Sequence, residues 1–170
     1  MIMKIIGLAG LARSGKDTVA DYIESKYDYK KFVLSDVLKD ELKNVGKEPT
    51  KENMAELGNT LRKKSGKDIV AKMLYEHCKN QKKITVVGFR SPEEVEFFRK
   101  KAKTFTLIEV RAPKDSRIKR SSEKDISGRD KNDIAKKGLD EVFTMAKIKI
   151  DNDSTLESLY EKVDKIMKEI

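Results

Sequence analysis

Gly10-Leu11-Ala12-Arg13-Ser14-Gly15-Lys16-Asp17-Thr18 is the stretch that decides the fold. Its spacing is G-x-x-x-x-G-K. It lies between an apolar run at 3–9 and a segment where Val19, Ile23 and Tyr27 recur every fourth position. Glycines at both ends let the backbone curl until successive N–H groups point inward and make an anion cradle. A helix beginning near Gly15 adds the positive end of its dipole to that cradle. The Lys16 ammonium then reaches the outer phosphates of a bound nucleotide. All nine residues, Gly10 to Thr18, are therefore candidate nucleotide ligands. The hydroxyl that usually follows the lysine is displaced by one place, since Asp17 stands there and Thr18 comes next. Both are candidate Mg²⁺ ligands.

Outward from the loop, 3–9 is almost wholly apolar, as a central parallel strand covered on both faces requires. A second strand is expected at 31–34, ended by Ser35-Asp36, which can cap a helix carrying Val37, Leu38 and Leu42. Thr50 can cap a further helix with Met54, Leu57 and Leu61. After Ser65-Gly66 comes another, with Val70, Met73, Leu74 and His77 along one side, His77 being read as packed. A β-branched strand follows at 84–87. Ser91-Pro92-Glu93-Glu94 then combines a serine cap, a first-turn proline and a glutamate at the capping-box position. Val95, Phe98 and Ala102 form the inner face of the helix it opens. Strands at 105–110 and 148–150 complete the set, and Ser154 with Glu157 caps a closing helix striped by Leu156, Leu159, Val163 and Ile166. Tyr22, Tyr27 and Cys78 read as packing residues.

This alternation predicts an α/β fold over 1–170 as one domain, a five-stranded parallel sheet with helices on both faces. Ligands of such sheets bind beyond the carboxyl ends of the strands, where 10–18, Asp36, Arg90 and Arg111 converge.

Composition narrows the partners. No apolar run approaches the roughly 18 residues that span a bilayer, and 3–9 leads straight into the loop, so it reads as a strand rather than a leader. With one cysteine an internal disulfide is excluded, and a reduced cytoplasm is the expected location. The net charge of +9 invites a nucleic-acid reading, but the lysines are scattered pairs such as Lys30-Lys31, Lys63-Lys64 and Lys136-Lys137, interleaved with acids. No basic stripe forms. Such a surface suits a small polyanion instead.

The surroundings of the loop separate its possible classes. No Asn-Lys-x-Asp stretch reads a guanine base, and 84–87 runs into Gly88-Phe89-Arg90 rather than the acidic pair of a motor-type ATPase. A polar insertion at 113–137 carrying Arg117, Arg120 and Arg129 fits a nucleotide-type kinase, in which it closes as a lid. Arg120 and Arg129 are the favoured arginines for neutralising the transferring phosphoryl group. The stretch at about 40–80 is the expected acceptor-binding insertion, with Arg62 on its helix, and Arg90 after the third strand can grip a substrate phosphate. Asp36 can take a proton from an acceptor hydroxyl or hold Mg²⁺ through water. A helix cap for Asp36 and a surface ion pair for Arg90 stay open.

Gly7-Leu8-Ala9-Gly10 with Ser14-Gly15-Lys16-Asp17-Thr18-Val19-Ala20-Asp21 resembles the opening of small kinases of the nucleoside-monophosphate-kinase superfamily. Ser35-Asp36-Val37, Gly88-Phe89-Arg90-Ser91-Pro92-Glu93-Glu94-Val95 and Met145-Ala146 with Asn152-Asp153-Ser154 resemble, in that order, its dephospho-CoA-kinase-like, adenylate-kinase-related members. The start with Lys39 and Asp40 is also similar to deoxynucleoside monophosphate kinases. The resemblance implies a three-layer phosphate-loop fold, ATP and Mg²⁺, and transfer of the γ-phosphoryl group to a nucleoside monophosphate or dephospho-CoA. In such relatives the third strand often ends Asp-Gly-x-Arg, whereas Val87 stands here in place of the aspartate. The alternative is an ATP-binding, slowly hydrolysing protein with a regulatory or RNA-associated role.

Overall fold

The computed structural model describes residues 2–120, 127 and 138–170. At its centre is β1 (Lys4–Ala9), flanked by β3 (Lys83–Val87) and β4 (Thr104–Arg111). The outer strands are β2 (Lys30–Val33), beside β3, and β5 (Ile148–Asp151), beside β4. All four pairings are parallel, in the order β2-β3-β1-β4-β5. Burial on both faces is what the apolar run demanded. Ile5 and Ala9 of β1 join one core cluster, Ile6 and Leu8 the other.

On the first face lie α2 (Asp36–Asn44), α4 (Ile69–Cys78), α5 (Pro92–Lys101) and α7 (Leu139–Met145). They bring Leu38, Val70, Leu74, Phe98 and Val142 against Ile5, Ile84, Val86 and Leu107. On the second face α1 (Lys16–Tyr27) and α8 (Leu156–Glu169) set Val19, Ile23, Leu159 and Val163 against Ile108, Val110 and Ile150. The tyrosines join these two helices as expected. Tyr22 stacks on Tyr160 with ring centroids 3.9 Å apart, and the Tyr22 and Tyr27 hydroxyls donate to the Asp164 carboxylate. A bond from Lys26, with those from Tyr27 and Tyr22, holds the Asp164 carboxyl down at about 2.

Two further helices stand outside these layers. In α3 (Lys51–Ser65) Gly58 is the buried residue, while Met54, Leu57 and Leu61 are partly buried against the first core. The short α6 (Lys114–Lys119) follows β4. Of the stretch 40–80, then, α4 belongs to the core layer and α3 lies beside it. No helix among the described residues is long and apolar enough to cross a membrane.

Three local expectations give way to the structure. His77 is exposed, because Val70, Leu74 and Cys78 at spacing four set the inner face of α4 and turn His77 to solvent. Cys78 is fully buried, and burial pushes its thiol up to about 11, as befits an inert packing residue. Ser35 occupies the N-cap place of α2 without a side-chain bond. Its backbone is already helical there, and a capping side chain needs an extended one. Asp36 caps nothing either, since its carboxylate pairs with Lys39 at 2.8 Å. At α8 the cap is Thr155, extended and accepting from the Ser158 N–H, rather than Ser154.

Candidate active site

The loop between β1 and α1 sits at the carboxyl end of the sheet. Gly15 takes φ 106°, a left-handed conformation, and a Cβ there would lie 2.5 Å from Asn152 Nδ2. That same Nδ2 donates to the Ser14 carbonyl at 3.0 Å, so the end of β5 holds the loop from behind. At Gly10 a Cβ would come within 2.3 Å of the Val110 carbonyl oxygen, a contact no side chain tolerates. Lys16 Nζ donates to the carbonyls of Gly10 at 2.7 Å and Leu11 at 2.9 Å, lying across the loop.

Two observations bear on what this loop takes. Ser14 Oγ is buried with no hydrogen-bond partner. The N-terminus of α1 has no side-chain cap, so its first-turn N–H groups are available to an outside acceptor. An orphaned hydroxyl beside uncapped amides and an ammonium fits a phosphate oxygen.

From the other side, α6 binds the loop. Arg117 donates to the Ala12 carbonyl at 3.4 Å, and Arg120 donates to the Arg13 carbonyl at 2.6 Å. Arg13 is itself held at φ 63°. Arg117 is only 4% exposed, so the start of the polar insertion is packed against the loop rather than solvent-exposed as its composition predicted. Hydrogen bonding to loop carbonyls, which composition does not reveal, outweighs the polar character. Arg129, and the expected lid beyond residue 120 apart from residue 127, lie outside the described residues.

A cavity of about 680 Å³ opens over the loop, walled by residues 12–18 and by Val33, Ser35, Val87, Gly88, Arg90, Arg120, Asn152 and Leu156. Asp17 is the acid lining it among the described residues, and its carboxylate pairs with Lys31 at 2.8 Å. Burial acts against the Lys31 charge, but bonds to Asp17 and Asp21 outweigh it and raise the lysine above its usual range. Asp36 follows the wall residue Ser35 and is held by Lys39. Arg111 pairs with Asp151 through two bonds, at 2.8 and 3.0 Å, on an exposed edge and does not line the cavity.

A second cavity, of about 270 Å³, lies between α3 and the start of α5, with Asn59, Arg62, Lys63, Lys67, Ser91 and Glu93 among its walls. Arg90 lines both cavities. Arg62 reaches this second cavity, but its Nη2 lies 3.1 Å from Glu94 Oε1 in an ion pair. Glu94 is wholly buried, and its other oxygen accepts from the Arg90 N–H at 2.7 Å. The capping-box expectation is therefore half met. The Ser91 hydroxyl does accept from the Glu94 N–H, while the Glu94 carboxylate bonds one residue upstream of the cap. Burial pushes the Glu94 carboxyl above the usual range, opposed by Arg62 and the Arg90 N–H.

Asn152 and Leu156 were not singled out as site residues by sequence. Asn152 stood within a stretch that carried the family resemblance, so a signal was present. Leu156 is 54% exposed at the start of α8, and in sequence nothing sets it apart from the rest of the helix stripe.

Residues 9–137 match the family model described as an AAA domain. A UPF0200 protein of Methanothrix thermoacetophila is 32% identical over 181 residues, which cover 99% of this chain and 98% of that protein. The chain belongs to the UPF0200 family. A second UPF0200 protein, from Methanoregula boonei, is 30% identical over 95% of this chain and 94% of its own. Among solved structures, this UPF0200 chain superposes on shikimate kinase from Bacteroides thetaiotaomicron with TM-score 0.63 and 16% identity, covering 98% of this chain and 97% of that one. Shikimate kinase from Aquifex aeolicus gives TM-score 0.59 at 14% identity, over 97% and 96%. The family member described here has a phosphate-loop, kinase-like fold.

Proposed function

We propose that this protein is an ATP-dependent phosphotransferase that moves the γ-phosphoryl group to a nucleotide or nucleotide-like acceptor, a nucleoside monophosphate or dephospho-CoA. The observation that carries the reading is Arg90, which lines both the loop cavity and the cavity beside it, where Arg62, Lys63 and Lys67 stand with Glu93 and Glu141. An arginine bordering both spaces can grip an acceptor phosphate while facing the transferring group. The chain's likeness in fold to shikimate kinases supports a phosphotransfer reading.

In this reading the loop amides and Lys16 hold the donor phosphates, and Arg120 leaves the Arg13 carbonyl to face the transferring group, joined by Arg129. The exposed shelf at Leu156 is where a donor base would lie. A Mg²⁺ ion carried in with the nucleotide would supply positive charge to offset that of the phosphates. Thr18, and Asp17 or Asp36 through water, are the residues to hold it. Magnesium is commonly bound by one or two carboxylates together with substrate phosphates, so a dedicated cluster of acids is not required. Where the acceptor is a hydroxyl, as on dephospho-CoA, Asp36 accepts its proton after releasing Lys39, an exposed pair worth about 1 kcal/mol or less. Arg62 borders the acceptor space from α3.

One observation favours the second reading, a slowly hydrolysing ATP-binding protein. Val87 puts an apolar side chain at the strand end lining the loop cavity, where relatives often carry a carboxylate. Labelled ATP and Mg²⁺ incubated with AMP, CMP, dTMP or dephospho-CoA separate the two. The kinase reading expects label in one acceptor at least about tenfold faster than in free phosphate, and none of it with Lys16→Ala. Release of phosphate at one rate whatever the acceptor supports the hydrolase.

A further inference from the structure

Glu94 joins two walls of the second cavity that belong to different parts of the chain. Its Oε1 holds Arg62, in the last turn of α3 as the helix runs to Ser65, and its Oε2 holds the backbone N–H of Arg90 in the loop after β3. The arrangement is built rather than incidental. Gly58 lies one turn before Arg62, and a Cβ there would come 2.8 Å from Arg62 Nη1, so the bare helix backbone leaves the slot in which the guanidinium lies. The Arg62 side chain is 15% exposed and pairs with Glu94, so it is committed to that carboxylate rather than to solvent, and its Nε is buried without a hydrogen-bond partner. Phe89, the residue between Gly88 and Arg90, is 1% exposed and packs edge-on to Phe98 of α5, anchoring the loop on its other side.

A carboxylate with no exposure is destabilised unless both oxygens are paired. Glu94 therefore needs Arg62 in its slot in order to keep its charge, and it needs that charge to hold the Arg90 N–H strongly. Withdrawal of α3 would take Arg62 away and weaken the bond that sets the Arg90 loop.

We propose that Glu94 is a positioning residue: through Arg62 it makes the setting of Arg90 depend on α3 being seated. This rests on the reading of the second cavity as the acceptor space. An acceptor that draws α3 inward thereby also orients the arginine that faces the donor, so that Arg90 is set for transfer only when both walls are in place.

Hydrogen exchange measured by mass spectrometry on the full chain tests the coupling without needing an acceptor. In Arg62→Ala, and separately in Glu94→Gln, exchange is expected to rise about tenfold or more in residues 51–66 and in 88–91 together, the scale of losing a hydrogen bond to a charged group. Residues 10–18 keep their wild-type protection. A rise in 51–66 alone for Arg62→Ala overturns the proposal, because the pair would then anchor α3 without setting Arg90. A rise that includes 10–18 in both variants also overturns it, as general loosening of the fold. Where AMP or another panel compound takes label, Arg62→Ala is expected to raise the KM for that compound at least about tenfold and to leave the KM for ATP within about twofold. If no compound takes label, the phosphotransfer reading fails while the exchange result still decides the coupling.

Discussion

Asn152 donates its side-chain N–H to the Ser14 carbonyl at 3.0 Å, and the donating nitrogen fills the space above Gly15. The bond ties the end of β5 to the peptide just before α1, and it does so at the point where the chain must take a left-handed conformation. Asn152 is further fixed by its own N–H, which donates to the Arg111 carbonyl at 2.7 Å. The loop's shape is thus imposed partly from a strand far along the chain.

Gly15→Ala puts a methyl group 2.5 Å from Asn152 Nδ2 and strains φ 106° at once. The expected loss is about 1–3 kcal/mol of stability. Affinity for ATP is expected to fall at least tenfold, because the Asn152 side chain must leave the Ser14 carbonyl and release the loop. Thermal denaturation and titration calorimetry on the same variant check both. Wild-type affinity would mean that this bond does not shape the phosphate site.

Asp36→Asn tests chemistry apart from binding. Its carboxylate lies outside the cavity wall on Lys39, so the folded protein loses only an exposed pair and the melting temperature is expected to change little. Nucleotide affinity should stay within a few-fold, since the loop and Lys16 supply it. Transfer to a hydroxyl acceptor is expected to fall by roughly 10²-fold, the scale of a lost general base. Near-normal transfer would reduce Asp36 to a partner of Lys39.

Arg62→Ala should make stability depend on pH with a definite sign. Burial already raises the Glu94 carboxyl above its usual range, and Arg62 opposes that rise. Without Arg62 the folded-state value rises further. A carboxyl raised on folding binds its proton more tightly in the folded chain, so stability falls as pH climbs from the ordinary glutamate range through the raised value. Urea denaturation is expected to find the variant about 3 kcal/mol less stable than wild type at pH 8, the scale of a broken buried pair. Much of that difference is recovered toward pH 5. Glu94→Gln added to Arg62→Ala should flatten the dependence. A loss that is equal at both pH values would show that Glu94 does not carry it.

The sequence by itself determined the phosphate-binding loop, the alternation of strands and helices, and the central place of β1. Each of these is local. Loop spacing, strand apolarity and helix period are set by neighbours a few residues apart, and the parallel sheet follows once strands and helices alternate. What only the tertiary structure decided is which polar groups meet. Glu94 looked like a local cap and proved to be the partner of Arg62, 32 residues away. Arg117 looked like part of an open polar insertion and donates to Ala12, 105 residues away, while Asn152 reaches Ser14 across 138. A buried charge or amide takes whatever partner the packed layers bring to it, because leaving it unpaired in a low-dielectric interior costs more than any local preference supplies. No spacing within one helix or strand records that choice.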